Sequence, residues 1–117
     1  MRFSLPSGRR LRRRAEFQRV FDGGRRAHGR YLTIVVRPSD GAVTRLGIVA
    51  SRKIGGAVRR NRAKRLIREI FRTEVPPQRA TDVVVIAKLA AVQAKVADVT
   101  KDYRATLNRL GLDLSNL

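Results

Sequence analysis

Nine of the 22 residues from Ser51 to Arg72 are Lys or Arg, and Glu69 is the only acid among them. A segment of this composition is suited to neutralising a polyanion. Ala63, Leu66, Ile67, Ile70 and Phe71 recur at i, i+3, i+4, i+7 and i+8, which predicts one apolar helical face for a core. At about 100° per residue, Asn61, Lys64, Arg65, Arg68 and Arg72 fall on the opposite face as a cationic stripe. Solvated helices usually mix charge signs at i,i+4, because like charges repel. A stripe of nearly one sign therefore points to a polyanion partner, against the alternative of a merely solvated basic face. Gly55 and Gly56 before it permit a tight turn with positive φ, and free N–H groups at the helix start add to the anion field.

The residues that could carry hydrolysis are sparse. His28 is the only histidine and lies beside Gly29 in a loop or edge strand, where a surface role is the ordinary one. Nine acids are scattered along the chain, and only Asp98 and Asp102 share a helical face at i, i+4. Two carboxylates do not make a metal site, and Lys101 beside them suggests ordinary surface charge. Ser51 has no identifiable base. There is no cysteine, so no disulfide and no thiolate-held metal. This reading assigns no catalytic residue, no metal site and no bound cofactor.

The net charge of +18 over 117 residues attracts polyanions and opposes compaction. Of the 27 basic residues 22 are Arg, whose planar fork takes phosphate bidentately and stacks on bases, which suits RNA. No apolar signal region follows the basic N-terminus, and the apolar run Val83–Ala87 is too short to span a bilayer, so a cytoplasmic protein without a membrane partner is expected.

The surrounding elements read as one domain over residues 1–117, with a basic arm at about 1–12 in which Leu11 is a candidate anchor. A helix over Arg13–Asp22 carries Phe17, Val20 and Phe21 on one face and stops at Gly23-Gly24, without an obvious N-cap. Arg25–Gly29 is a candidate edge strand. Tyr31–Arg37 and Thr44–Ala50 flank a Pro38–Gly41 turn and predict an antiparallel hairpin. The basic helix spans about Val58–Thr73 and exits at Pro76-Pro77; Val83–Ala87 reads as a central strand, covered on both faces. Val92, Val96, Val99, Tyr103, Leu107 and Leu110 mark a last helix with Gly111 as its C′ residue. The order α-β-(β)-β-α-β-α predicts a two-layer α/β (α+β) sandwich with a small mixed sheet of about four strands.

The run Arg52-Lys53-Ile54-Gly55-Gly56-Ala57-Val58-Arg59-Arg60-Asn61-Arg62-Ala63-Lys64-Arg65-Leu66-Ile67-Arg68 resembles the signature of the bacterial ribonuclease P protein subunit. The shared pattern is basic-Lys-x-Gly-x-Ala-Val-x-Arg-Asn-x-x-Lys-Arg-x-x-Arg. The likeness extends from Leu11 to Leu110 through the Phe-x-x-Val-Phe helix, the Asp-Val-Val-Val-Ile-Ala strand and the last helix. The resemblance implies a left-handed β-α-β crossover and the non-catalytic protein subunit of an endoribonuclease whose active site, with the Mg²⁺ it requires, is in RNA. The implied partners are that catalytic RNA and the 5′ leader of precursor tRNA, with mature tRNA 5′ ends as the product.

Carried over residue by residue, the resemblance makes Arg52, Lys53, Arg60, Asn61, Lys64, Arg65 and Arg68 the RNA-binding motif, with Gly55 and Gly56 as its turn. Ala57 and Val58 read as packing residues, and Arg59 and Arg62 fall off the stripe. Phe17 and Phe21 match cleft aromatics expected to stack on leader bases. Val35 stands where a strand aromatic is common, with Tyr31 as its substitute on the same face. A ribosomal or general RNA-binding chaperone protein would share the charge and size. A DNA-compacting protein would not need the Gly55–Arg68 spacing, and no DNA partner is expected.

Overall fold

The structure, a computed structural model, describes residues 9–74 and 79–111. Most of the expected basic arm, and the Pro76-Pro77 exit, lie outside the described residues. Helix α1 (Arg14–Gly23) is followed by strands β1 (Arg25–His28), β2 (Leu32–Pro38) and β3 (Arg45–Val49). Then come helix α2 (Ala57–Thr73), strand β4 (Thr81–Ala87) and helix α3 (Val96–Arg109), with 3-10 turns at Arg52–Ile54 and Leu89–Val92. Gly111, at φ +80°, follows the Leu110 cap of α3 as its spacing required.

The four strands form one mixed sheet in the order β1-β2-β4-β3. β1 and β4 run antiparallel to β2, and β3 runs parallel to β4. This corrects the expected hairpin: β2 and β3 are consecutive but not paired, because β4 lies between them. The connection 39–44 crosses the start of β4, where the Ser39 N–H donates to the Ala80 carbonyl (3.0 Å) and the Thr81 N–H donates to Thr44 Oγ1 (3.2 Å). The apolar content of the strands explains the order. Val83, Val84 and Val85 are fully buried and need cover on both faces, so β4 takes the interior, while β3 with Arg45 and Gly47 serves at an edge.

Alternation along the strands divides the core. Leu32, Ile34, Val36, Leu46, Val83 and Val85 pack with Ala63, Ile67, Ile70 and Phe71 of α2 and with Val99, Tyr103 and Leu107 of α3. Val35 and Val84 point the other way, onto Val20 of α1 and onto Leu11. Leu11 is anchored as expected, and its N–H donates to the Leu46 carbonyl at 2.9 Å. Each such buried aliphatic side chain contributes roughly 1.5–3 kcal/mol.

Two carboxylates fasten elements that apolar contacts alone would leave loose. Glu16 caps α1 by accepting the N–H groups of Arg12 (2.9 Å) and Arg13 (3.0 Å) with one oxygen, while the other takes Arg45 Nη1 at 2.8 Å. Arg45 also forks onto the buried Asp82 (both contacts 2.9 Å), so β3, β4 and the start of α1 share one ionic cluster. The Arg13 and Arg12 N–H groups, and then Arg45, hold the Glu16 carboxyl below its usual 4.5. A carboxyl depressed in the folded state stabilises the fold above its unfolded value, and that contribution fades as pH falls through the folded one. Glu16→Gln is therefore expected to cost about 1–2 kcal/mol at neutral pH and to flatten the loss of stability below pH 4.5. Parallel curves of Tm against pH for the two proteins would refute this.

Asp102 is the second fastener. It accepts the backbone N–H groups of Arg30 (2.9 Å), Tyr31 (2.8 Å) and Leu32 (3.0 Å), tying the β1–β2 turn to α3. The expectation of ordinary surface charge at this position is corrected by those three bonds.

Candidate nucleic-acid interface

The approach to α2 is built by its glycines. Ser51 Oγ accepts the Lys53 N–H (3.3 Å) and starts the 3-10 turn, Ile54 plugs into the core, and Arg52 and Lys53 stay exposed. Gly55 then sits at φ +127°, where a side chain would be strained, while Gly56 has φ −75° and serves as the N-cap of α2. The expected positive-φ turn thus rests on Gly55 alone.

Once α2 is seated through Ala63, Ile67, Ile70 and Phe71, its cations divide into two groups. Lys64 and Arg68 are half-buried and line a cavity of about 110 Å³ with Arg10, Leu11, Phe17, Leu46 and Ile48. Asn61, Arg62 and Arg65 face outward and, with Val58, line a second concavity of about 300 Å³. Two expectations are corrected here. Val58 is 75% exposed and Ala57 is exposed, so neither packs. The first turn of α2 precedes the apolar face, and Val58 lies about 140° from Ala63 at 100° per residue. Arg62 belongs with Arg65, only about 60° away by the same arithmetic. Arg60 lies on the flank nearer the core, half-buried, with its Nε enclosed and unpaired.

The cavity beside α2 is electrostatically unsatisfied. Burial, and then the charges of Arg10 and Arg65, draw the Arg68 pKa below the usual arginine value. Arg10 Nε is buried without a hydrogen-bond partner. The acids that could relieve these cations are committed elsewhere. Of the eight described carboxylates, Glu16, Asp40, Glu69, Glu74 and Asp82 pair with arginines, Asp22 accepts from Gln18, Asp102 holds backbone, and Asp98 lies exposed in the first turn of α3. Among the described residues, Arg72 alone of the nine cations from Arg52 to Arg72 has a carboxylate partner, Glu69. An anion that binds here should stabilise the fold. At ten times its Kd, sulfate should add about 1.4 kcal/mol and raise Tm by on the order of 5 °C over chloride of equal ionic strength. Identical melting in the two salts would remove the anion site.

The four cleft candidates separate in the structure. Phe17 lines the cavity and packs on Gly47, where a Cβ would come within 2.6 Å of the ring. Phe21, one turn later, lies under the Arg26 guanidinium at 5.8 Å. Val35 is 1% exposed beneath α1 and offers no surface to a ligand. Tyr31 precedes β2 in the turn held by Asp102, packs toward the α2/α3 core and carries Arg30 over its ring at 5.4 Å. Strand alternation does not reach it, so it does not share the face of Val35. His28 Nδ1 lies 3.0 Å from Thr33 Oγ1 and meets no carboxylate among the described residues. No group of three or more His, Cys, Asp or Glu side chains that could hold a metal occurs among the described residues. No helix among them is long and apolar enough to cross a membrane.

Arg10 was missed by sequence reasoning and had no local signal, since its place is set by its own parallel bridge to Leu46 of β3. Leu46 and Ile48 were legible only as strand residues.

Comparison with known proteins fits this arrangement. The family described as Ribonuclease P matches residues 5–111. The ribonuclease P protein component of Syntrophus aciditrophicus is 38% identical over 109 residues, covering 92% of each chain. That of Coxiella burnetii is 41% identical over 104 residues, covering 88% of this chain and 83% of the relative. Among solved structures, the Staphylococcus aureus RNase P protein superposes with a TM-score of 0.80 at 30% identity, over 89% of this chain and 96% of that one. The RNase P protein from Thermotoga maritima gives 0.75 at 34% identity, over 86% and 96%. With the mixed sheet, the seated basic helix and the matched sequence all in agreement, the chain belongs to the ribonuclease P protein family.

Proposed function

We propose that this chain is the protein subunit of a ribonuclease P that binds both the catalytic RNA and the 5′ leader of precursor tRNA. The observation that carries the reading is the set of cations on α2 and its approach turn that lack acidic partners among the described residues, of which Lys64 and Arg68 line one concavity and Arg62 and Arg65 another. The outward group, Asn61, Arg62 and Arg65 with Arg52 and Lys53, suits the phosphates of a structured RNA. The inward group, Lys64, Arg68 and Arg10 around Phe17, suits a single strand, whose phosphate takes the guanidinium groups while a base stacks on the ring. Stacking accepts any base, as a subunit serving many precursors requires. Hydrolysis, with its Mg²⁺, belongs to the RNA; the protein raises affinity for the substrate and screens repulsion between two polyanions.

The test is cleavage of precursor tRNA by the cognate catalytic RNA at low magnesium, with and without the protein. Strong stimulation is expected. RNA binding without stimulation would sink the reading and favour a general RNA-binding or ribosomal protein.

A further inference from the structure

A third cationic concavity lies away from α2. It encloses about 390 Å³ and is lined by Arg25, Arg37 and Arg79 with Val36, Pro38, Ala80, Thr81 and Gly111. Its arginines come from the first residue of β1, the end of β2 and the segment entering β4. β1 and β3 are opposite edges of the sheet, about 14 Å apart at the usual strand spacing, and α2 packs over the β3 side. The concavity shares no lining residue with either of the cationic concavities on α2.

The walls are fixed before any ligand arrives. Thr81 Oγ1 donates to the Arg79 carbonyl (2.8 Å), the Ser39 N–H holds Ala80, and Arg25 pairs with Val36 in the sheet. The charges above those walls are poorly matched. Arg37 reaches Asp40 only at 3.7 Å, and Asp40 is already engaged by Arg19. Arg25 and Arg79, both exposed, have no carboxylate partner among the described residues. The volume lies within the roughly 300–1,000 Å³ of small-ligand sites, and the pairing of an apolar wall with guanidinium groups matches one nucleotide unit.

We propose that this concavity is a second RNA site that holds a phosphodiester between Arg25 and Arg79, with the sugar or base against Pro38 and Ala80. The inference rests on the ribonuclease P reading for its choice of RNA, and it adds a contact outside the α2 region. The phosphodiester can come from the catalytic RNA or from the precursor.

The test measures the salt dependence of binding for wild type, Arg25→Ala/Arg79→Ala and the charge-matched surface control Lys95→Ala/Lys101→Ala. One arm is the full chain with catalytic RNA; the other is the holoenzyme with precursor tRNA. Losing that one phosphate contact should reduce the log–log slope by about 0.7 in one arm for the pocket pair, with the control unchanged. The arm that responds names the source. Equal reductions in pocket and control variants would mean a long-range charge effect and overturn the site. No reduction in either arm, while wild type still stimulates cleavage, would overturn the site and leave the ribonuclease P reading standing. Failure of the wild type to bind either RNA would remove that reading and this site with it. Unchanged melting of the variants is the folding control, since neither arginine is buried.

Discussion

Replacing Lys64 and Arg68 together by alanine is expected to weaken binding of leader-containing precursor by on the order of a hundredfold while leaving the free protein as stable as wild type, or more so. The two effects have opposite signs for one reason. Arg68 is half-buried, and burial and the charges of Arg10 and Arg65 work against its ionised form. Removing it relieves that repulsion in the free chain. The same crowding makes the site strong for phosphate, because an arriving anion cancels it. Hydrogen bonds to charged groups are worth about 1.5–3 kcal/mol each, and two at the lower end give about 3 kcal/mol, or roughly two decades. A structural role would lower Tm instead. The comparison is Arg62→Ala/Arg65→Ala, from the outward group, which is expected to lose catalytic-RNA affinity and largely retain leader discrimination. Titrations with precursors bearing and lacking a leader would separate the two. Equal losses for both variants with both substrates would show that α2 acts as one undivided stripe.

The largest stability effect is expected at Asp102. Asp102→Ala removes the acceptor of three consecutive backbone N–H groups at Arg30, Tyr31 and Leu32. Leu32 is fully buried, so its N–H would be left with little access to water. The expected loss is about 3–4 kcal/mol, a sizeable part of the roughly 5–15 kcal/mol that holds a typical domain. Asp102→Asn keeps one acceptor oxygen without the charge and should lose about half as much. Urea unfolding would measure both. A change below about 1 kcal/mol for the alanine variant would mean that water replaces the carboxylate at no cost.

How much of this was legible in sequence depended on how local the cause was. The seating of α2 followed from the 3.6-residue period of Ala63, Ile67, Ile70 and Phe71, and the end of α3 followed from Gly111. The exposure of Val58 was present in the same angular arithmetic, whereas Arg62 falls just outside the stripe by that arithmetic, and its partnership with Arg65 comes from the concavity that both line. The position of β4 between β2 and β3 was harder to read, because a turn sequence such as Pro38–Gly41 reports that the chain reverses, not which strand it reverses onto. The Arg10–Leu46 bridge, the Glu16–Arg45 pair and the Asp102 bonds join residues 29 to 72 positions apart. No period or motif marks such contacts.

The placement of β4 also bears on how the chain acquires its shape. Before Thr81 is joined, β1 and β2 can pair with each other, but β3 has no strand beside it, and α2 has only part of a sheet on which to lay its apolar face. The last strand made is an interior one, and its pairings reach back from Ala87 to Leu32 and from Asp82 to Arg45. Contacts of such separation close slowly, because the entropy of a long loop is lost before any bond is gained. A chain still being synthesised therefore displays the whole basic segment before it owns a folded core. A fragment ending at Ala80 should therefore gain no stable structure.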